Sequence, residues 1–326
     1  MNTKLRHISY CILAALLMVA CHEESHPLTP ETEEVAISMN ATSVESMETS
    51  RALITDNSGL RTVGFGVYAT KEVANNNPVL VFNNVNLTYH ATKGWGYSPT
   101  KYWDRTATYN FVAYAPYSVS ANTSYESSTN TLTISSIPYW QAIDGEETDY
   151  LVAFSSGSAV DYLSKTSTAV SFNFSHILSQ FIVHIVKDGN FANTGYKVTK
   201  VEYINVPAKD GSANYTNTNE FTGITAASTI ERFSGDKEVT QTTADNTLSH
   251  LVVPFTLTGD NNIKIKITYT VEGTERTKTV DTGISALTAN EIYELTLTFK
   301  GAEIVPELAV KGWVDQPVDE DPKYNW

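Results

Sequence analysis

The sequence is poor in cysteine, in basic residues and in long apolar runs. Its two cysteines, Cys11 and Cys21, both fall within the first 21 of 326 residues. A mature chain acylated at Cys21 keeps no free thiol, which excludes disulfides and cysteine nucleophiles alike. Twenty-two Lys and Arg stand against 36 Asp and Glu, for a formal net charge of -14. That balance argues against nucleic acid and anionic membrane surfaces as partners. No G-x-S-x-G elbow, P-loop, EF-hand loop or G-x-G-x-x-G entering a helix occurs, and no segment repeats with a 3.6-residue apolar period.

The apolar run Ile8 to Ala20 follows Lys4 and Arg6, is too short to span a bilayer and ends in small residues. It reads as a secretory signal peptide, residues 1–20. "LLMVAC" resembles the lipobox of bacterial lipoproteins, with cleavage after Ala20 and lipid on Cys21, although Met18 stands where Leu is commonest. Loss of Lys4 and Arg6 takes the formal charge to -16. Residues 21–33 read as an acidic tether: seven Glu and no Lys or Arg occur from His22 to Ser50, with Pro27 and Pro30 near the start. Glu23-Glu24 resembles the acidic surface-export signal of some Gram-negative anaerobes, and a plain spacer explains it equally well.

His22-Glu23-Glu24-Ser25-His26 satisfies H-E-x-x-H. A zinc protease needs both histidines on one rigid helix with a third ligand elsewhere. Pro27 directly after His26, and the lipid attachment before His22, rule against that. No metal or other cofactor is expected.

Beyond the tether, apolar residues alternate with polar ones almost throughout. "EVAISMNA" sets Val35, Ile37 and Met39 on one face; "RTVGFGVYAT", "TYNFVAYAPYS" and "NTLTISSIPYW" share the period of two and the Tyr, Phe, Val and Thr enrichment of strands. Strand signal lapses at 155–169 and resumes with "VSFNFSHILSQFIVHIV". The chain is therefore expected to be all-β, as two tandem β-sandwich domains, residues 34–162 and 163–326, each with about seven strands. A single large barrel is the alternative.

Few groups offer chemistry. His176 and His184 lie on one predicted strand about 26 Å apart, too far to share a metal unaided. "DGEETD" clusters Asp144, Glu146, Glu147 and Asp149, which could hold a cation or act as acid and base, but a solvated turn is the better reading. Trp95 and Trp103 in "KGWGYSPTKYW" could stack on sugars, making a surface glycan-binding lipoprotein the second functional hypothesis. The sequon Asn86-Leu87-Thr88 carries no weight in a bacterial lipoprotein.

"GFGVYA" (64–69), "KGWGYSPTKYWDRTATYNFVAYAPYS" (93–118), "IPYWQAIDGEETDYLVAF" (137–154), "VSFNFSHILSQFIVHIV" (170–186) and "LTANEIYELTLTF" followed by "VKGWVD" (310–315) resemble, in order and spacing, the fimbrillin family of Bacteroides-type anaerobes. The resemblance implies two transthyretin-like sandwiches in a non-enzymatic subunit of surface fimbriae, whether shaft, anchor or tip. It also implies an outer-membrane lipoprotein precursor from which an Arg-specific protease removes the N-terminal arm; the matching position is Arg51, before Ala52, with Arg61 the next basic residue. Implied partners are other fimbrial subunits, the outer membrane through the lipid, and a host or bacterial surface receptor. Removal of the arm would strip "EVAISMNA" from its sheet and leave an open edge. Leu308, Val310 and Trp313 in "PELAVKGWV" could supply a donor strand to a neighbouring subunit, or form the last strand of their own domain.

Overall fold

The computed structural model describes residues 34–46, 54, 56–74, 76–142, 147–165, 168–241, 247–312 and 314–315. The strands of the first half are β1 (Met39–Ser46), β2 (Phe65–Val73), β3 (Val79–His90), β4 (Gly94–Gly96), β5 (Ala107–Ala115), β6 (Thr123–Glu126), β7 (Thr131–Pro138), β8 (Trp140–Ala142) and β9 (Leu151–Ser158). After them come β10 (Val170–His176), β11 (Ser179–Lys187), β12 (Tyr196–Val206), β13 (Ser212–Thr216), β14 (Glu220–Phe221), β15 (Ser228–Glu238) and β16 (Thr247–Val252). The chain closes with β17 (Phe255–Thr256), β18 (Lys264–Val271), β19 (Thr274–Asp281), β20 (Ala286–Leu287), β21 (Glu291–Lys300), β22 (Glu303–Gly312) and β23 (Val314–Asp315). Among the described residues, two short α-helices interrupt them, α1 (Asn57–Val63) and α2 (Ala159–Leu163), beside two 3-10 turns. The fold is all-β, as the alternation requires.

An eight-stranded sheet has the order β23-β1-β10-β9-β5-β2-β3-β4, and a four-stranded sheet, β14-β13-β7-β6, accompanies it. Tyr68, Val112, Tyr114 and Val152 of the larger sheet share a buried core with Leu132, Ile134, Ala213 and Tyr215 of the smaller. On β5 the alternate residues Tyr109 and Phe111 turn to the opposite face, where rings pack edge to face: Trp103 on Tyr109 at 4.8 Å and Phe65 on Phe174 at 5.2 Å. Both faces of β2 and β5 are thus buried, so their near-continuous apolar runs leave little polar alternation. Gly66 is required there. A Cβ on it would lie 2.3 Å from the ring of Tyr114, its cross-strand partner.

The five-stranded sheet β22-β21-β11-β16-β8 packs on the four-stranded sheet β15-β12-β18-β19. Phe181, Val183, Leu295, Leu297 and Phe299 face Val201, Tyr203, Ile265 and Ile267 across that second core. β18 and β19 close by a two-residue loop, Glu272-Gly273, with φ of 48° and 78°. Positive φ at both positions is the turn that matches the twist of a hairpin.

Hydrogen-bonded pairings cross the expected division at residue 162 in both directions. β10 lies beyond it yet pairs with β9, β13 pairs with β7, and β8, from before it, pairs with β16. The lapse at 155–169 is the end of β9 followed by α2, whose capping box is Ser158 with Asp161. The segment read as one strand over 170–186 is two strands in different sheets, parted at Ile177 and Leu178, which are buried.

Candidate functional site

The residues expected to act lie near the two ends of the chain. Ala20, Cys21, Arg51, Ala52 and Trp313 fall outside the described residues, as do Asp144 and Glu146. The arm strand itself is placed. Ile37 and Met39 are buried, whereas Val35 is half-buried, so the expected apolar face is carried by its second and third members, joined by Ala41. Ile37 donates its backbone N–H to Lys101 O at 2.8 Å, and Tyr97 Oη donates to Ile37 O at 2.6 Å. From Met39 the strand runs parallel to β10, with Met39 opposite Val170 and Ala41 opposite Phe172. Its other edge is taken by β23, through Glu45 with Asp315 and Ser46 with Val314. β1 is therefore an inserted strand held on both sides.

The C-terminal strand contrasts with it. β22 pairs with β21 over ten residues, from Glu303 to Gly312, and is the outermost strand of its sheet. Ile304, Pro306, Leu308 and Val310 oppose Phe299, Leu297, Leu295 and Tyr293, which point into the second core. Only Ile304 is buried with them; Leu308 and Val310 are 38% and 49% exposed. An apolar stripe thus continues the core face past the end of its cover.

A buried polar pair was missed by sequence reading. Asp149, taken for part of a solvated turn, is buried, with Oδ1 2.9 Å from His176 Nδ1 and both side chains fully shielded. Its Oδ2 accepts the backbone N–H of Ile54 at 3.1 Å, which ties the segment just after the arm to the body of the fold. Glu147 is buried as well. Asp149, in the loop before β9, and His176, at the end of β10, are 27 residues apart, and nothing local in either stretch signals that they meet. His184 belongs to β11 and pairs instead with Glu294 at 3.1 Å. Among the described residues no group of three or more His, Cys, Asp or Glu is placed to hold a metal, and no helix is long and apolar enough to cross a membrane.

The aromatic candidates separate too. Trp103 is buried and stacked on Tyr162 at 4.9 Å, inside the aromatic layer, so it cannot meet a sugar. Trp95 is half-buried beside Tyr89, over whose ring the Arg61 guanidinium lies at 4.3 Å.

The molecule is built from strands, with β1 inserted between β23 and β10 in one sheet and the apolar strand β22 outermost and largely uncovered in another. The chain belongs to the fimbrillin-like family, whose model matches residues 50–313. Among solved structures it is similar to a fimbrial protein from Bacteroides vulgatus, at 17% identity and a TM-score of 0.56, covering 86% of this chain and 99% of that one. It is also similar to a candidate cell adhesion protein from Bacteroides uniformis, at 20% identity and a TM-score of 0.51, over 86% and 99% of the two chains. At such identities the likeness is one of fold. No curated protein matches the chain.

Proposed function

We propose that this chain is a non-enzymatic structural subunit of surface fimbriae, whether shaft, anchor or tip, which assembles with other subunits by strand exchange and supports adhesion to a host or bacterial receptor. The observation that carries the reading is β22: an outermost strand whose Leu308 and Val310 extend a core face beyond its cover. Long, exposed apolar edge strands recruit other chains unless they are given a partner. Membership of the fimbrillin-like family supports the same role. Leu308, Val310 and Trp313 are the donor-strand residues, and the seat of β1 on β10 is the acceptor. In this reading the chain comprises two sandwiches, 34–162 and 163–326, that exchange strands across their division.

The precursor is held at the outer membrane by lipid on Cys21 after cleavage behind Ala20, with residues 21–33 as the tether. Processing after Arg51 then frees arm and lipid together and leaves Ala52 as the mature N-terminus. Arg61, the next basic residue, lies within α1 with its guanidinium on Tyr89, a poor substrate for a protease that needs extended chain. Arg51→Ala should leave lipidated monomers on the membrane and no filaments under the electron microscope, and Cys21→Ser should abolish fatty-acid uptake. Normal filaments from Arg51→Ala, with Arg61 uncut, would overturn the processing model. A glycan-binding role rests on Trp95 with Tyr89; loss of polysaccharide affinity in Trp95→Ala, in a protein that stays monomeric, would favour it over assembly.

A further inference from the structure

A cluster unrelated to the strand edges lies at the side of the second sandwich, where β8 and β15 are the outer strands of the two facing sheets. Trp140, on β8, is fixed by donating its indole N–H to Pro207 O at 3.1 Å. The guanidinium of Arg232, from β15, lies over that indole at 4.5 Å. The rings of Tyr203 and His250 stand 5.8 and 5.7 Å from the indole and 5.9 Å from each other. Tyr203 is wholly buried and His250 is 4% exposed.

The polar atoms of this group have nothing to bond. Nε and Nη2 of Arg232, the hydroxyl of Tyr203 and Nδ1 of His250 are all shielded from solvent without a hydrogen-bond partner among the described residues. They are four of the eight such side-chain atoms found there, gathered about one indole. Native folds leave buried polar atoms unpaired rarely and mostly for a reason. The backbone supplies a device for the arrangement. The β12–β15 register slips between Val201, opposite Phe233, and Glu202, opposite Glu231, so Arg232 is the extra residue of a bulge. Bulges re-aim side chains, and this one lets Ile230, Arg232 and Phe233 all turn toward the core.

Stacking on Trp140 uses the face of the guanidinium and leaves its edge. Nε–H and Nη2–H are the two parallel donors of that edge, the pair that matches the two oxygens of a carboxylate. Asp210 acts on the Arg232 charge only from a distance. Burial, and then the charge of Arg232, push His250 down to about 3, so at neutral pH it is uncharged and Nδ1–H can donate without a second cation in the cluster.

We propose that Arg232, Tyr203 and His250, walled by Trp140, form a binding site for a carboxylate, with the Arg232 edge taking both oxygens and the phenol and imidazole as further donors. The shielding of all four donor atoms from solvent favours a small free organic acid over an acidic side chain of a polypeptide. The assignment is independent of the assembly role.

The test titrates the full chain at pH 7 with sodium acetate against sodium chloride of equal ionic strength, reading thermal midpoint and tryptophan fluorescence. A second arm uses a short Asp-containing peptide with both ends blocked. Saturable stabilisation by acetate but not chloride is expected, with the peptide silent if the ligand is a free acid and active if it is a side chain. Arg232→Lys keeps the charge but loses the edge pair, and should weaken acetate about tenfold. Tyr203→Phe should weaken it about threefold while raising the midpoint in chloride, because it removes an unpaired buried hydroxyl. That reversal of sign between acetate and chloride is not expected of a purely structural hydroxyl, and it serves even if Arg232→Lys does not fold. The proposal is overturned if acetate behaves as chloride does, or if both variants bind acetate as the parent does.

Discussion

β1 and β22 both carry apolar residues at alternate positions and both lie toward the edges of their sheets, but packing treats them oppositely. Ile37, Met39 and Ala41 are buried, and β1 has a strand on either side. Burial on that scale contributes about 1.5–3 kcal/mol for each large side chain. β22 has the longer run of backbone pairing, but beyond Ile304 its apolar stripe lies in the open. The period of two says only that one side of a strand is apolar; whether that side is covered depends on the facing sheet. In the proposed assembly the covered strand is the one to be discarded and the uncovered one is retained. Stability and function then sit on different strands, which is testable by breaking each separately.

The largest effect is expected at the tie behind the arm. Asp149→Ala takes a partner from His176 in a fully shielded site and leaves the Ile54 N–H without its acceptor. Removing one member of a buried polar pair costs about 3–5 kcal/mol, which should appear as a large fall in the urea midpoint. A loss below about 1 kcal/mol would mean that the site relaxes open to water.

Next come matched truncations of the two strands. Ile37→Ala should cost about 2–4 kcal/mol in urea unfolding through transfer and cavity terms. Leu308→Ala should stay within about 0.5 kcal/mol. If assembly uses β22, Leu308→Ala should nonetheless reduce filament yield. Equal losses of stability at the two positions would erase the contrast between the strands.

The same contrast marks what the sequence could disclose. Strand identity was legible from alternation where one face of a strand is buried, and from Tyr, Phe and Val enrichment in β2 and β5, where both faces are. The break between β10 and β11 was not, because Ile177 and Leu178 are as apolar as the strands they separate and are buried between them. Helix α2 left a readable mark in Ser158 and Asp161, three residues apart before a short apolar stretch, but five residues give no helical period. Asp149 read as solvated because its neighbours are acidic, and only the long-range approach of His176 and Ile54 reverses that. The crossing of residue 162 by β8, β10 and β13 was hidden for the same reason: pairing partners between sheets are chosen by distant faces. The exposure of Leu308 likewise depends on where the facing sheet ends.

The smallest effect concerns how β22 is held at its far end. Lys311 Nζ lies 2.7 Å from Glu294 Oε2, and His184 Nε2 lies 3.1 Å from the other carboxylate oxygen. The hydrogen bond from Lys311 is the main cause that holds the Glu294 carboxyl below its ordinary value of 4.5. A depressed carboxyl contributes stability that is complete above the unfolded value and is lost as pH falls through the folded one. Lys311 is exposed, so the contribution should stay below about 1 kcal/mol and shrink further with salt. β1 has no such dependence in its side-chain grip: Tyr97 holds Ile37 O through a phenol that burial pushes up, away from the acid range. Amide hydrogen exchange should therefore show the Lys311 end of β22 loosening below about pH 4.5 relative to β21, while Ile37 keeps its protection until the whole fold opens. Glu294→Gln should remove the pH dependence at β22 and leave Ile37 unchanged. An unaltered acid response in that variant would assign the loosening to carboxylates elsewhere and leave β22 held by its backbone ladder alone.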